Sequence, residues 1–276
     1  MRKILISFAA LVSSVAIVLA LDLGRFAFQY IDAGGHSLRM RIRGHGGPVV
    51  VFEGGGRGSV GAPLEMWCHE QPAVSKFTTT VAYDRAGIGM SDPGPEPRDA
   101  RQIARELHTA LRNASLAPPY LLVGHSFGGP LNRVFAGMYP DEIAGMVLVD
   151  PTQEEFINRN PSPTARQGDI PDSDWKEIQS SLAEAHESLV PANVPVVLIT
   201  GMGPRVFPDY ISEKKIQEYK ANHQLWLKFH KEWLEKVPNG QHIITENSGH
   251  DVVISEPELV IHAIRQIVEQ SNKPPR

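Results

Sequence analysis

The sequence predicts an α/β domain built on a mostly parallel sheet covered by helices on both faces. Three observations carry that expectation. From residue 25 onward, short β-type runs alternate with helix-type stretches, as strands linked by crossover helices require. Several of these runs, residues 48–52 and 143–149 among them, are continuously apolar, which suits strands buried on both faces. Near the middle of the chain an apolar run at 120–123, the pentapeptide Gly124-His125-Ser126-Phe127-Gly128 and a helix-like stretch at 129–138 follow in that order. They read as strand, tight turn and helix.

In chain order, residues 25–32 and 36–43 form an opening hairpin across Ala33-Gly34-Gly35. Residues 48–52 make the third strand, and the loop 53–61 follows. The fourth strand, 78–83, ends in Asp84-Arg85-Ala86-Gly87-Ile88-Gly89-Met90-Ser91, whose glycine spacing reads as a structural turn. Residues 100–112 are periodic and helical, and they run through Pro118-Pro119 into the strand before Gly124. The strand at 143–149 closes on Asp150-Pro151. The alternation then breaks. Residues 152–190 are polar and Pro-rich early and amphipathic later, with no strand signal until 195–200, so this insertion reads as a lid. A second insertion, 201–237, holds a helical run at 213–235 whose Tyr219, Leu225, Trp226, Phe229 and Trp233 recur at helical spacing, predicting an apolar face docked on the core. The strand 241–245 leads into Asn247-Ser248-Gly249-His250-Asp251, and a helix over 257–270 closes the chain.

With 276 residues and 42% hydrophobic content, the chain can bury one large core, giving a single domain over 25–276 that carries both insertions. A net charge of -4 and no Lys/Arg cluster argue against a nucleic-acid partner. Cys68 is the one cysteine, so neither an internal disulfide nor a Cys-based metal cage can form. Its place beside Trp67 predicts burial.

The N-terminus reads as an export signal. Arg2 and Lys3 precede an apolar stretch over residues 4–21, and no acid appears until Asp22. Val18-Leu19-Ala20 offers a cleavage site after Ala20, giving a signal peptide over 1–20. The stretch also suits a membrane anchor, since as a helix it would run roughly 27 Å against the ~30 Å of a bilayer core. Either form places the rest of the chain outside the cytoplasm, secreted, periplasmic or tethered through residues 4–21.

Gly124-His125-Ser126-Phe127-Gly128 is a G-x-S-x-G pentapeptide. At roughly 7% usage each for Gly and Ser, one arises by chance in about one chain in ten of this size, so its context supplies the weight. A serine hydroxyl is a poor nucleophile unless presented and activated, and a strained strand-to-helix turn presents it clear of the sheet edge. Glycines two residues either side keep a Cβ out of the neighbouring strand and helix.

With these motifs in order, the chain resembles the α/β-hydrolase superfamily over essentially everything after residue 25. The resemblance rests on the Gly-rich loop after the third strand, Tyr-Asp-Arg-Ala-Gly-Ile-Gly-Met-Ser after the fourth, Gly-His-Ser-Phe-Gly, Leu-Val-Asp-Pro after the sixth and Ser-Gly-His before the last helix. It implies a mostly parallel central sheet of about eight strands with helices on both faces and a helical lid. It also implies a serine hydrolase in which Ser126 is the nucleophile and His250, on the loop after the last strand, is its base. The acid is open between two residues. Many relatives carry it after the seventh strand, where this chain offers nothing before Asp209; Asp150, at the tip of the sixth, is preferred. Glu154 and Glu155 are more distant options. The oxyanion donors would be the backbone amides of Phe127 and Gly55, the latter in Glu53-Gly54-Gly55-Gly56-Arg57, which stands where the family's His-Gly motif falls.

The expected activity is cleavage of a small-molecule carboxylic ester, with amides and lactones as further options, and neither metal nor organic cofactor is needed. A proline-type aminopeptidase or C–C bond hydrolase could use the same triad, and a non-catalytic receptor could use the same fold. Acids at Glu154, Glu155, Asp169, Asp172 and Asp174 would favour the peptidase by holding a substrate ammonium.

Overall fold

The computed structural model describes residues 28–56, 63–159 and 172–273, so the expected signal or anchor and the segment 160–171 of the first insertion lie outside the described residues. The chain opens on the hairpin β1 (Gln29–Asp32) and β2 (Ser37–Arg43), paired antiparallel. Asp32 closes its turn by accepting the amides of Gly34 and Gly35 at 3.3 and 2.8 Å. Both glycines have φ near +100°, a region that only glycine enters without strain.

Among the described residues, the remaining strands are β3 (Val49–Glu53), β4 (Thr80–Tyr83), β5 (Tyr120–His125), β6 (Ile143–Val149), β7 (Val196–Gly201) and β8 (Gly240–Thr245). All eight join one sheet in the order β1-β2-β4-β3-β5-β6-β7-β8, with β2 antiparallel to β4 and the strands from β4 to β8 parallel. The chain steps to one side of β3 for β4 and to the other for β5. That reversal opens a crevice beyond the carboxyl ends of β3 and β5, where open α/β sheets bind their ligands. Glu53 pairs in register with Gly124, and His125 with Val149, so these strands end together at one edge.

Alternate residues of each central strand feed two cores. Val49, Val51, Tyr120, Leu122, Met146 and Leu148 face one side. There they meet Ile103, Leu107 and Leu111 of α3 (Ala100–Asn113), and Leu131, Val134 and Phe135 of α4 (Gly128–Met138). The spacing of four in α3 is its buried stripe, and Asp99 caps it by accepting the Gln102 amide at 2.8 Å. On the other side Val50, Phe52, Leu121, Val123, Val147 and Val149 meet α1 (Pro63–Met66), α2 (Glu70–Val74), α8 (Val252–Ser255) and α9 (Pro257–Ser271). Trp67 is fully buried in this core, but Cys68 beside it is exposed, contrary to the expectation of burial. The physical reason is that consecutive residues in a helical turn leave the backbone in different directions, so one can be core and the next surface.

The insertions supply α5 (Glu154–Arg159), α6 (Asp172–Glu187) and α7 (Glu213–Leu234). α6 packs on α3 and α4, held by Glu184 accepting the Arg101 amide at 2.9 Å and by Arg133 donating to the Ala185 carbonyl at 2.6 Å. α7 packs on α5, β7 and β8, burying Phe229 and laying Trp233 over Arg133.

Candidate active site

The site is assembled from strand ends. Ser126 follows β5 with φ +53°, a left-handed backbone that costs a non-glycine residue ~1–3 kcal/mol. The surroundings hold it there. Its amide donates to the Val149 carbonyl at 3.1 Å, and its carbonyl accepts the amides of Gly129 and Thr152, each at 3.0 Å. The flanking glycines are required by contact: a Cβ at Gly128 would lie 2.5 Å from the Glu53 carbonyl oxygen, and one at Gly124 2.6 Å from that of Gly128. Phe127 is the N-cap of α4, whose first amides have no partner within the helix and give that end partial positive charge.

Asp150 ends β6 in a second left-handed conformation, φ +42°, and its side chain is buried. Three donors converge on its carboxylate. Oδ2 accepts from His250 Nδ1 at 2.6 Å, while Oδ1 accepts the Gly201 amide at 3.0 Å and the Trp226 indole N–H at 3.1 Å. Burial opposes the charge, but His250, His230 and the Gly201 amide outweigh it and hold the carboxyl below its usual range.

His250 sits on the loop after β8. The end of β7 meets the loop after β8 glycine to glycine, since a Cβ at Gly201 would fall 2.0 Å from the Gly249 carbonyl oxygen. The imidazole Nε2 lies 3.0 Å from Ser126 Oγ. With Nδ1 donating to Asp150, Nε2 carries the lone pair that can accept the serine proton. Removal from solvent lowers the His250 pKa, yet the hydrogen bond and charge of Asp150 leave it above the ordinary histidine value. His125 Nε2 donates to the His250 carbonyl at 2.9 Å, bracing this loop. Burial, and next the charge of His250, push the His125 imidazole down to about 4, so it stays neutral.

Gly55 borders Ser126: a Cβ there would lie 2.8 Å from Ser126 Cβ. Glu53, one residue before the glycines, is buried and bonded to Tyr83 and Arg85. Asp209 lies apart, exposed in the turn before α7. Glu154 is tied to Arg133 at 2.7 Å in a buried ion pair, and Glu155 lies 3.7 Å from His186. Asp169 and the side chains of Asp172 and Asp174 fall outside the described residues. Among the described residues no group of three His, Cys, Asp or Glu side chains could hold a metal ion, and no helix is long and apolar enough to cross a membrane.

Trp226 and His230 escape the sequence reading, which sets Trp226 on an apolar face docked on the core and gives His230 no part in the site. Both are polar partners of the site. His230 is fully buried and donates from Nε2 to the Pro151 carbonyl at 2.8 Å. Its Nδ1 must then accept from the Thr200 hydroxyl at 2.7 Å, which in turn accepts from His242 Nε2 at 2.7 Å. This directed chain fixes Pro151, next to Asp150. The spacing of four between Trp226 and His230 places them on one stripe, but an indole N–H and an imidazole on that stripe carry no mark of their partners.

A family model described as the alpha/beta hydrolase fold matches residues 47–174. The protein YqjL of Bacillus subtilis (strain 168) is 28% identical over 231 residues, which cover 82% of this chain and 85% of YqjL. Among solved structures, a thermophilic esterase from Thermogutta terrifontis superposes with a TM-score of 0.60 at 17% identity, covering 90% of this chain and all of that one. A meta-cleavage product hydrolase from Pseudomonas fluorescens gives a TM-score of 0.63 at 16% identity, over 90% and 99% of the two chains. Sheet order and the family match over residues 47–174 agree that the chain has the α/β-hydrolase fold.

Proposed function

We propose that this hydrolase cleaves a carboxylic ester through an acyl-enzyme on Ser126. The observation that carries the reading is the unbroken line from Ser126 Oγ to His250 at 3.0 Å and from His250 to the buried Asp150 at 2.6 Å. Ser126 Oγ attacks the substrate carbonyl carbon and its proton passes to His250 Nε2. The carbonyl oxygen becomes an oxyanion that takes hydrogen bonds from the Gly55 and Phe127 amides. His250 then gives that proton to the departing alkoxide, leaving an acyl-serine and a free alcohol. Water attacks the acyl-serine while His250 takes its proton, and the acid leaves as Ser126 recovers its own. Asp150 orients the imidazole and stabilises its cationic form without taking the proton.

Ester cleavage is favoured over the aminopeptidase reading because Glu154, an acid that could hold a substrate ammonium, is occupied by Arg133. The reading extends to a protein outside the cytoplasm, tethered or released according to the fate of residues 1–20.

The test is labelling of the purified protein with a fluorophosphonate probe, comparing wild type with Ser126→Ala and His250→Ala, beside turnover of p-nitrophenyl esters from acetate to octanoate. Labelling that vanishes in both variants, with ester turnover, supports the reading. Folded wild type that neither labels nor turns over these esters would sink it and bring forward a non-catalytic receptor. Labelling without ester turnover would point to C–C bond or amide substrates.

A further inference from the structure

The loop that carries Gly55 is held by a side chain outside the steps just described. Arg85 follows β4 and is buried. Its Nη1 donates to Glu53 Oε1 and to the Gly54 carbonyl at 2.7 Å, and its Nη2 donates to the Gly56 carbonyl. Glu53, the last residue of β3, accepts the Tyr83 hydroxyl on its other oxygen. One guanidinium is thus anchored to two strands and grips alternate carbonyls of the loop.

Peptide geometry converts that grip into an orientation. A trans peptide plane holds its C=O and N–H antiparallel. The Gly54 carbonyl and the Gly55 amide share one such plane, and the Gly54–Gly55 bond is trans. Fixing the carbonyl on Arg85 therefore aims the Gly55 N–H the opposite way. Three consecutive glycines have no side chain to hold them and the greatest backbone freedom, so the orientation must be imposed from outside. Cationic donors on the carbonyl also polarise the peptide and strengthen its N–H as a donor.

We propose that Arg85, anchored by Glu53 and Tyr83, is a positioning residue that aims the Gly55 N–H at the oxyanion of the transition state. The proposal rests on the serine-hydrolase reading above. Its test uses the full chain with active sites counted by fluorophosphonate, p-nitrophenyl butyrate kinetics, and inhibition by a trifluoromethyl ketone that mimics the tetrahedral adduct. Arg85→Lys keeps a charge beside Glu53 but cannot span three acceptors. It is expected to lower kcat and kcat/KM together by about 30- to 100-fold, with KM within about twofold and ketone affinity falling in parallel.

Arg98→Lys is the control. Arg98 is also buried and pairs with both carboxylate oxygens of Glu106, so its loss should lower Tm while kcat stays within about twofold. If Arg85→Lys does not fold, Glu53→Gln carries the test, with an expected drop in kcat of about 3- to 10-fold at constant KM. Unchanged kcat in the folded variant, or a fall in Tm alone like that of Arg98→Lys, would overturn the proposal. Wild type inert toward both probe and ester would instead overturn the serine-hydrolase reading on which it rests.

Discussion

The indole N–H of Trp226 donates to Asp150 Oδ1 at 3.1 Å, joining the long helix of the second insertion to the carboxylate bonded to His250. The bond goes to Oδ1, while Oδ2 accepts from the imidazole. Trp226→Phe keeps an aromatic ring and removes the donor. Because hydrogen bonds to charged groups contribute about 1.5–3 kcal/mol, the variant should lose stability on that scale in chemical denaturation. The less stabilised carboxylate should hold the imidazolium more tightly, moving the acid limb of kcat/KM to higher pH.

In the proposed mechanism His250 can act as a base only when neutral, and its pKa lies above the ordinary histidine value. Activity should therefore rise with pH through a midpoint above the ordinary ~6.5. Asp150→Asn removes the countercharge, so the midpoint should move to lower pH while kcat falls by about 10³- to 10⁴-fold. A pH–rate profile of the two proteins checks both directions.

Gly55→Ala would place a Cβ 2.8 Å from Ser126 Cβ. Something must shift, and what shifts is Ser126 or the Gly55 amide beside it. Loss of one oxyanion donor costs about 10²- to 10³-fold in kcat, and a loss of that size is expected here with little change in Tm. A fall in Tm with kcat preserved would count against Gly55 as a donor.

Glu70 is fully buried in α2, and neither of its carboxylate oxygens has a hydrogen-bond partner among the described residues. Burial pushes its carboxyl up to about 7. Between ~4.3 and that value the unfolded chain binds fewer protons than the folded one, so stability falls as pH rises through this window. Glu70→Gln removes the ionisation. Its stability should match wild type near pH 4.5 and exceed it at pH 8, by on the order of 3 kcal/mol, measured by urea denaturation at both pH values.

Much of the fold was legible because strands and helices are written in local periodicity. The strand at Ile143–Val149 lies where the apolar run predicts it, and the helix before β5 differs only at its end, Ala100–Asn113 against 100–112. The helix after Ser126 begins one residue earlier than expected, at Gly128, because the elbow turns directly into it. The pentapeptide, with its strand and helix, marked Ser126, and Ser-Gly-His after the last strand marked His250. The choice between Asp150 and Asp209 was not written locally, since both are single acids on loops.

Sequence by itself determined the class of fold, the order of its elements and the residue types at the strand ends, because those follow from spacing along one chain. Tertiary structure alone decided which side chains meet. Asp150 reaches His250 across 100 residues, Trp226 reaches Asp150 across 76, and Arg85 reaches the Gly54 carbonyl across 31. None of these partners shares a periodicity with the other. A buried charge or donor needs a partner, but which one it finds depends on strand order and on how helices cross the sheet. That information exists only once the chain has closed.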